Sequence, residues 1–195
     1  AKTVVQMIAY DNDDDNFNNI TFGQTYVGGS NTASMSQLIV THWGKVKWRS
    51  MRLMFRSLET GSINYMPIVG SPDDTPDLSE CVTTANMFDQ NLKAWNGQQM
   101  GTTPGLNPQS QNLSDWDLSY VKDAQFMFNG CQRLGRAADG SSLNLDWSNI
   151  SWDNCISFAG MFRSCILGKD INMSNWSFNT DANTGISMRQ MFENN

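Results

Sequence analysis

The sequence predicts an α+β fold: a solenoid of about five strand–short-helix repeats with a small β segment at the N-terminus. Two observations predict it. A Met-Phe pair recurs five times, at 54–55, 87–88, 127–128, 161–162 and 191–192, with spacings of 33, 40, 34 and 30 residues. Counted back from each Phe, apolar side chains fall at positions −7, −4 and −1: Trp48, Met51 and Met54 in the first repeat, Val121, Ala124 and Met127 in the third. Self-similarity at such a period marks a stacked array, and this spacing places the apolar set on one side of a helix.

The third repeat sets out one unit in full. Ser119 is the expected N-cap of a helix of about two turns, with Asp123 favoured in its first turn by the helix dipole. Gly130 fits a left-handed C-cap and Cys131 the apolar residue that packs back on the last turn. Ser57 and Ser164 stand at the Gly130 position in two other repeats and cap less well. Ahead of the helix, Trp116-Asp117-Leu118-Ser119 has room only for a short strand. The Trp slot holds Trp43, Pro76, Trp116, Trp147 and Trp176, and lies 12 residues before the Phe in three repeats, then 15 and 16. Units this small bury their apolar faces only by stacking on neighbours.

The run Trp-Asp-Leu-Ser-x-Val-x-x-x-x-x-Met-Phe-x-Gly-Cys resembles the repeat of BspA-like leucine-rich-repeat surface proteins, a family spread over bacterial surfaces, phages, large viruses and protists. The resemblance covers roughly residues 39–195 and includes His42-Trp43-Gly44 to Phe55 and Asp73-Asp74-Thr75-Pro76-Asp77-Leu78-Ser79. Departures are Cys81 and Cys155 at the usual Val position and the Ser-for-Gly caps. The resemblance implies a leucine-rich-repeat-like scaffold on a virion or a cell surface.

Residues 1–38 fall outside the repeat. Thr3–Tyr10 and Ile20–Val27 read as strands and Gly28–Asn31 as a turn, a β cap on the first repeat. Between the strands, Asp11, Asp13 and Asp15 begin a calcium-loop spacing, but Asn16 and Phe22 stand where Gly and Glu are needed. A solvated acidic turn is the better reading, with low-affinity Ca²⁺ binding the alternative and no other cofactor implied. The longest loops, 59–75 and 89–112, and a shorter one at 135–146, are where a repeat array makes contacts. Tyr65, Asp73, Asp74, Trp95, Asn96 and Trp152 are the candidate binding residues, although for Tyr65, Trp95 and Trp152 packing beneath their own loop is the favoured alternative. Most Met and Trp of the repeat read as core fillers.

Composition excludes several classes. A formal net charge of −6 and a pI near 4.6 speak against nucleic acid and anionic membranes. No stretch is long and apolar enough to span a membrane. No signal peptide is visible and the chain opens on Ala1, which reads as a processed chain or part of a longer one. His42 is the only histidine, so no histidine-based triad or His-pair metal site exists within the chain. The four cysteines occupy two repeat registers, Cys81 with Cys155 and Cys131 with Cys165, and read as buried thiols. A Cys131–Cys165 disulfide is the alternative.

The function expected is non-enzymatic: a surface-exposed phage or virus component (fibre, receptor-binding or capsid-decorating) for attachment or assembly. A cellular adhesin and a self-assembling structural subunit are the alternatives. Partners would be protein or glycan on a host surface, or neighbouring subunits, including copies of the chain. Met188, Met191 and Phe192 have no following repeat and form the expected interface at the end of the array.

Overall fold

The computed structural model describes residues 16–17, 37–40, 43–54, 56, 66–69, 75–89, 115–131, 145–165, 171–178 and 185–195. Among the described residues, eight short strands pair two by two, all in parallel. β1 (Asn16–Phe17) pairs β3 (Lys47–Trp48), and β2 (Gln37–Val40) pairs β4 (Met66–Val69). β5 (Leu145–Asp146) pairs β7 (Ile171–Asn172), and β6 (Ser151–Trp152) pairs β8 (Ser177–Phe178). The expected strands at Thr3–Tyr10 and Ile20–Val27 lie outside the described residues.

The expected α+β solenoid of strand–helix repeats is overturned: the described residues contain no helix. The segment before each Met-Phe pair is a chain of tight turns. The Met amide bonds the carbonyl three residues back, as in Met54 to Met51 (3.2 Å), Met87 to Thr84 (3.0 Å) and Met161 to Phe158 (3.0 Å). Position −2 within each of these turns has positive φ: Leu53 (61°), Asn86 (55°), Phe126 (52°), Gly160 (61°) and Gln190 (57°). The residue before it does not, which makes the turn type II. One left-handed residue at a fixed position stops an α-helix from propagating.

The positive φ turns alternate amides outward along the stack. Amides at −4, −2 and 0 donate to carbonyls at −5, −3 and −1 of the following repeat. From the third repeat to the fourth these are Ala124 to Ser157 (2.9 Å), Phe126 to Ala159 (2.9 Å) and Phe128 to Met161 (2.9 Å). Single parallel bridges mark the same register, running Ser50, Thr83, Asp123, Ser157, Ser187. Hydrogen bonds to the next turn thus replace those that a helix would have made within itself.

Capping follows the turns as well. Ser119 caps no helix: its amide and hydroxyl donate to Asp117 Oδ1 at 3.1 and 2.5 Å, an Asx turn repeated by Ser79 on Asp77. Those two bonds from Ser79 hold the Asp77 carboxyl below its ordinary pKa. Asp123 accepts from the Gln125 amide (3.1 Å) and fixes the type II turn. Gly130, at φ 73°, and Ser164, at φ 56°, do adopt the left-handed conformation expected of a cap, here to close the last turn onto Cys131 and Cys165.

The interior is a set of columns. Phe88, Phe128, Phe162 and Phe192 stack nearly parallel with centroids 5.4, 5.6 and 5.5 Å apart. Through the first four repeats the apolar residues at −7, −4 and −1 are buried, including Trp48, Met51, Met54, Val121, Ala124, Met127, Cys155, Phe158 and Met161, whereas Met188 at −4 of the fifth is exposed. The inward set was therefore right, although turns rather than a helix produce it. The Trp slot is corrected in one place. Asp146 registers with Asn172, so Trp147 aligns with Met173, and Trp176 sits three residues further on, donating from Nε1 to the Trp147 carbonyl at 2.8 Å.

Thr84 occupies a core position where other repeats place Met51, Ala124 and Phe158. Among the described residues its buried hydroxyl has no hydrogen-bond partner. Removing such a group while keeping its shape should stabilise, so Thr84→Val is expected to gain about 1 kcal/mol in urea denaturation.

Candidate functional site

In the first four repeats, positions −8 and −6 flank the inward residue at −7 and face outward. Val82 (49% exposed), Tyr120 (48%) and Ile156 (40%) lie there with exposed Lys47, Arg49, Lys122 and Asn154. Backbone bonds put the −6 residues next to one another: the Lys122 amide reaches the Val82 carbonyl and the Ile156 amide the Lys122 carbonyl, both at 3.0 Å. Adjacent strands at this pairing lie about 4.8 Å apart. Val82, Lys122 and Ile156 therefore form one continuous ribbon, with Tyr120 beside it. At its first edge Glu80 draws in Lys47 (3.6 Å) and Arg49 (3.3 Å). Asn154 Nδ2 donates to the Ser119 carbonyl of the preceding repeat at 2.7 Å.

A second column runs at +1: Arg56, Asp89, Asn129, Arg163 and Glu193. Asp89 is buried, held by Arg56 Nε at 3.0 Å and Asn129 Nδ2 at 2.7 Å. Arg163 Nε meets Glu193 at 2.9 Å. Each charge is answered by a neighbour one repeat away, so the column fixes register rather than offering a reactive group.

The cysteines are free and buried. Cys131 donates from Sγ to the Phe88 carbonyl (3.2 Å) and Cys165 to the Phe128 carbonyl (2.8 Å). Burial pushes the thiols up, to about 11 for Cys81 and Cys155 and about 12 for Cys165. Cys131 rises well above the ordinary range through burial and then the neighbouring Cys165 and Asp89. A raised thiol favours the folded state in its protonated form. That stability is complete below the unfolded value near 8.5 and is lost as pH rises through the folded values. The folded protein should thus resist thiol reagents at neutral pH, release four thiols on unfolding, and lose melting temperature in alkali.

Of the sequence-derived candidates, Trp152 is not a surface contact. It is fully buried, edge-on to Phe158 at 5.4 Å and to Trp176 at 5.5 Å. It occupies the position that Leu78 and Leu118 hold in their repeats, so the ladder absorbs it. Met188 and Phe192 are 44% and 50% exposed, whereas Met191 is buried beneath them. Tyr65, Asp73, Asp74, Trp95 and Asn96, the Asp11, Asp13, Asp15 run and His42 lie outside the described residues. Among the described residues, no three His, Cys, Asp or Glu side chains come together to hold a metal ion. No described helix is long and apolar enough to cross a membrane. Sequence reasoning missed the ribbon, because Val82, Tyr120 and Ile156 share a face only once the turns are known.

The family described as Mycoplasma protein of unknown function, DUF285, matches residues 27–134 and again residues 76–195. The chain belongs to the DUF285 family. The two matches overlap over the second and third repeats, as expected of a pattern that spans several repeats and can slide along them. DUF285 membership thus covers the whole turn ladder, including the ribbon and the +1 column. No curated protein and no solved structure matches the chain.

Proposed function

We propose that this DUF285 chain is a non-enzymatic, surface-exposed protein that works by contact, in attachment or assembly. The observation that carries the reading is the ribbon: Val82 and Ile156 exposed at position −6 on either side of Lys122, with exposed Tyr120 two residues before Lys122 on the same face. Scattered apolar residues on a surface need no explanation, but Val82, Tyr120 and Ile156 share one outward face of a rigid backbone and offer a partner a mixed strip, apolar on both sides of Lys122. A preorganised strip also loses little entropy on binding. The resemblance of the repeat to BspA-like leucine-rich-repeat surface proteins supports a surface role, in a virion or, alternatively, as a cellular adhesin.

Labelled protein should adsorb saturably to intact cells from a panel of bacterial and animal hosts. Val82→Asp with Ile156→Asp should abolish adsorption without changing the melting temperature, since both side chains face solvent. Protease or periodate treatment of the cells would then separate a protein from a glycan receptor. Immunogold labelling of particles against cells would separate the virion from the adhesin. Adsorption that survives the double variant, or none on any cell, would refute the ribbon as the contact.

A further inference from the structure

Position +3 holds a cysteine in two adjacent repeats, Cys131 in the third and Cys165 in the fourth. Both close the same turn. The Cys131 amide donates to the Phe128 carbonyl at 3.0 Å, and the Cys165 amide to the Phe162 carbonyl at 3.2 Å. The rungs around them fix the register. Just before the cysteines the Gly130 amide donates to the Arg163 carbonyl at 2.8 Å, and three residues back the Phe128 and Phe162 rings stack at 5.6 Å. Rungs of such a ladder lie about 4.8 Å apart, inside the range of about 4.4–6.8 Å between Cα atoms that a disulfide spans.

The two thiols also share one interior column. Cys165 Sγ reaches back toward the third repeat, to the Phe128 carbonyl at 2.8 Å, and Cys131 Sγ reaches back to the Phe88 carbonyl at 3.2 Å. Both side chains are fully buried. After burial itself, Cys165 is the first neighbour that raises the Cys131 thiol. Bringing the sulfurs together asks Cys131 to turn about χ1 toward Cys165, a move between staggered wells. The Phe128 carbonyl then keeps the Cys131 amide as its donor, and the thiol hydrogen bonds given up are weak ones. Cys81 and Cys155 share the −7 column, but Val121 of the third repeat stands between them. Two rungs, about 9.6 Å, exceed the limit of about 7 Å for a bridge.

We propose that Cys131 and Cys165 are a redox site: a small-molecule disulfide closes the pair into one cystine that locks the third repeat to the fourth. One thiolate attacks the small disulfide, forms a mixed disulfide and releases one small thiol. The second thiolate attacks the protein sulfur of that intermediate and releases the other. The protein gives up two electrons and two protons, and the small disulfide leaves as two thiols. The folded core shuts the reagent out. Exchange therefore takes place while these turns are open, when the thiols titrate near their ordinary value of about 8.5. The link closes the 132–164 segment into a loop and so removes freedom from the unfolded chain. It is independent of what the ribbon touches.

Refolding the reduced 195-residue chain with oxidised glutathione, followed by intact-mass measurement and peptide mapping, tests it. The product should be lighter than the reduced chain by about 2 Da, with Cys131 linked to Cys165 and with Cys81 and Cys155 still free to alkylate on unfolding. Its melting temperature should stand about 10 °C above that of the same sample after dithiothreitol reopens the link. Cys131→Ala should abolish both the loss of mass and the shift, whereas Cys81→Ala with Cys155→Ala should keep them. Four free thiols after oxidative refolding, a link that uses Cys81 or Cys155, or a melting temperature that reduction leaves unchanged would overturn the proposal.

Discussion

Phe128→Ala should lower the unfolding free energy by about 3–5 kcal/mol, against about 1 kcal/mol for Phe192→Ala, measured by urea denaturation of each variant. Phe128 stands in the middle of the aromatic column, fully buried, 5.4 Å from Phe88 and 5.6 Å from Phe162. Trp147 lies over it at 5.4 Å. Truncation leaves a cavity among rings that the backbone ladder holds apart, so the site has little room to collapse. Folded domains are stable by only about 5–15 kcal/mol, so this one change removes a large share of the total. Phe192 has the same neighbour on one side only and keeps half its surface in water. Equal losses at the two positions would show that the column is not the source of stability.

Gly160→Ala should cost about 3 kcal/mol, far more than the methyl group itself would suggest, because two penalties add. A Cβ at φ 61° sits in the left-handed region, at about 1–2 kcal/mol. It would also run into the ring of Phe126, the residue at the same turn position one repeat earlier. Crowding of that kind costs about 1–3 kcal/mol. Adding Phe126→Ala should recover the crowding part but not the backbone part, which a double-mutant cycle separates. Gln190→Gly, at φ 57° and exposed, should change stability in the opposite direction or not at all. A neutral Gly160→Ala would mean that the type II turn is not required there.

These two positions also mark how far the sequence could be read. The Met-Phe period and the inward set at −7, −4 and −1 were legible because burial constrains residue type at each of those positions. Trp48, Val121 and Cys155 differ in shape but all are apolar and all are buried. The turn position was not legible. Leu53, Asn86, Phe126, Gly160 and Gln190 share φ and nothing in chemistry, and only Gly160 and Asn86 are residues that favour positive φ. A three-three-one apolar spacing fits one face of a helix, and it fits equally a chain of three-residue turns. Local pattern cannot separate the two.

Trp152 shows the same limit at the candidate site. As an extra aromatic outside the Trp slot it was a candidate contact, with packing under its own loop the favoured alternative, and its register with Leu118 places it in the core of the ladder. The sequence by itself determined the repeat, its period and its inward side chains. Tertiary structure alone decided the hand of the turn at position −2, the outward ribbon of Val82, Tyr120 and Ile156, and the hydrogen bonds that join each turn to the next. The reason is physical. Burial acts on each side chain separately and leaves its mark residue by residue. The left-handed turn is held instead by hydrogen bonds to the neighbouring repeat, which accept almost any side chain and so leave no trace in the sequence.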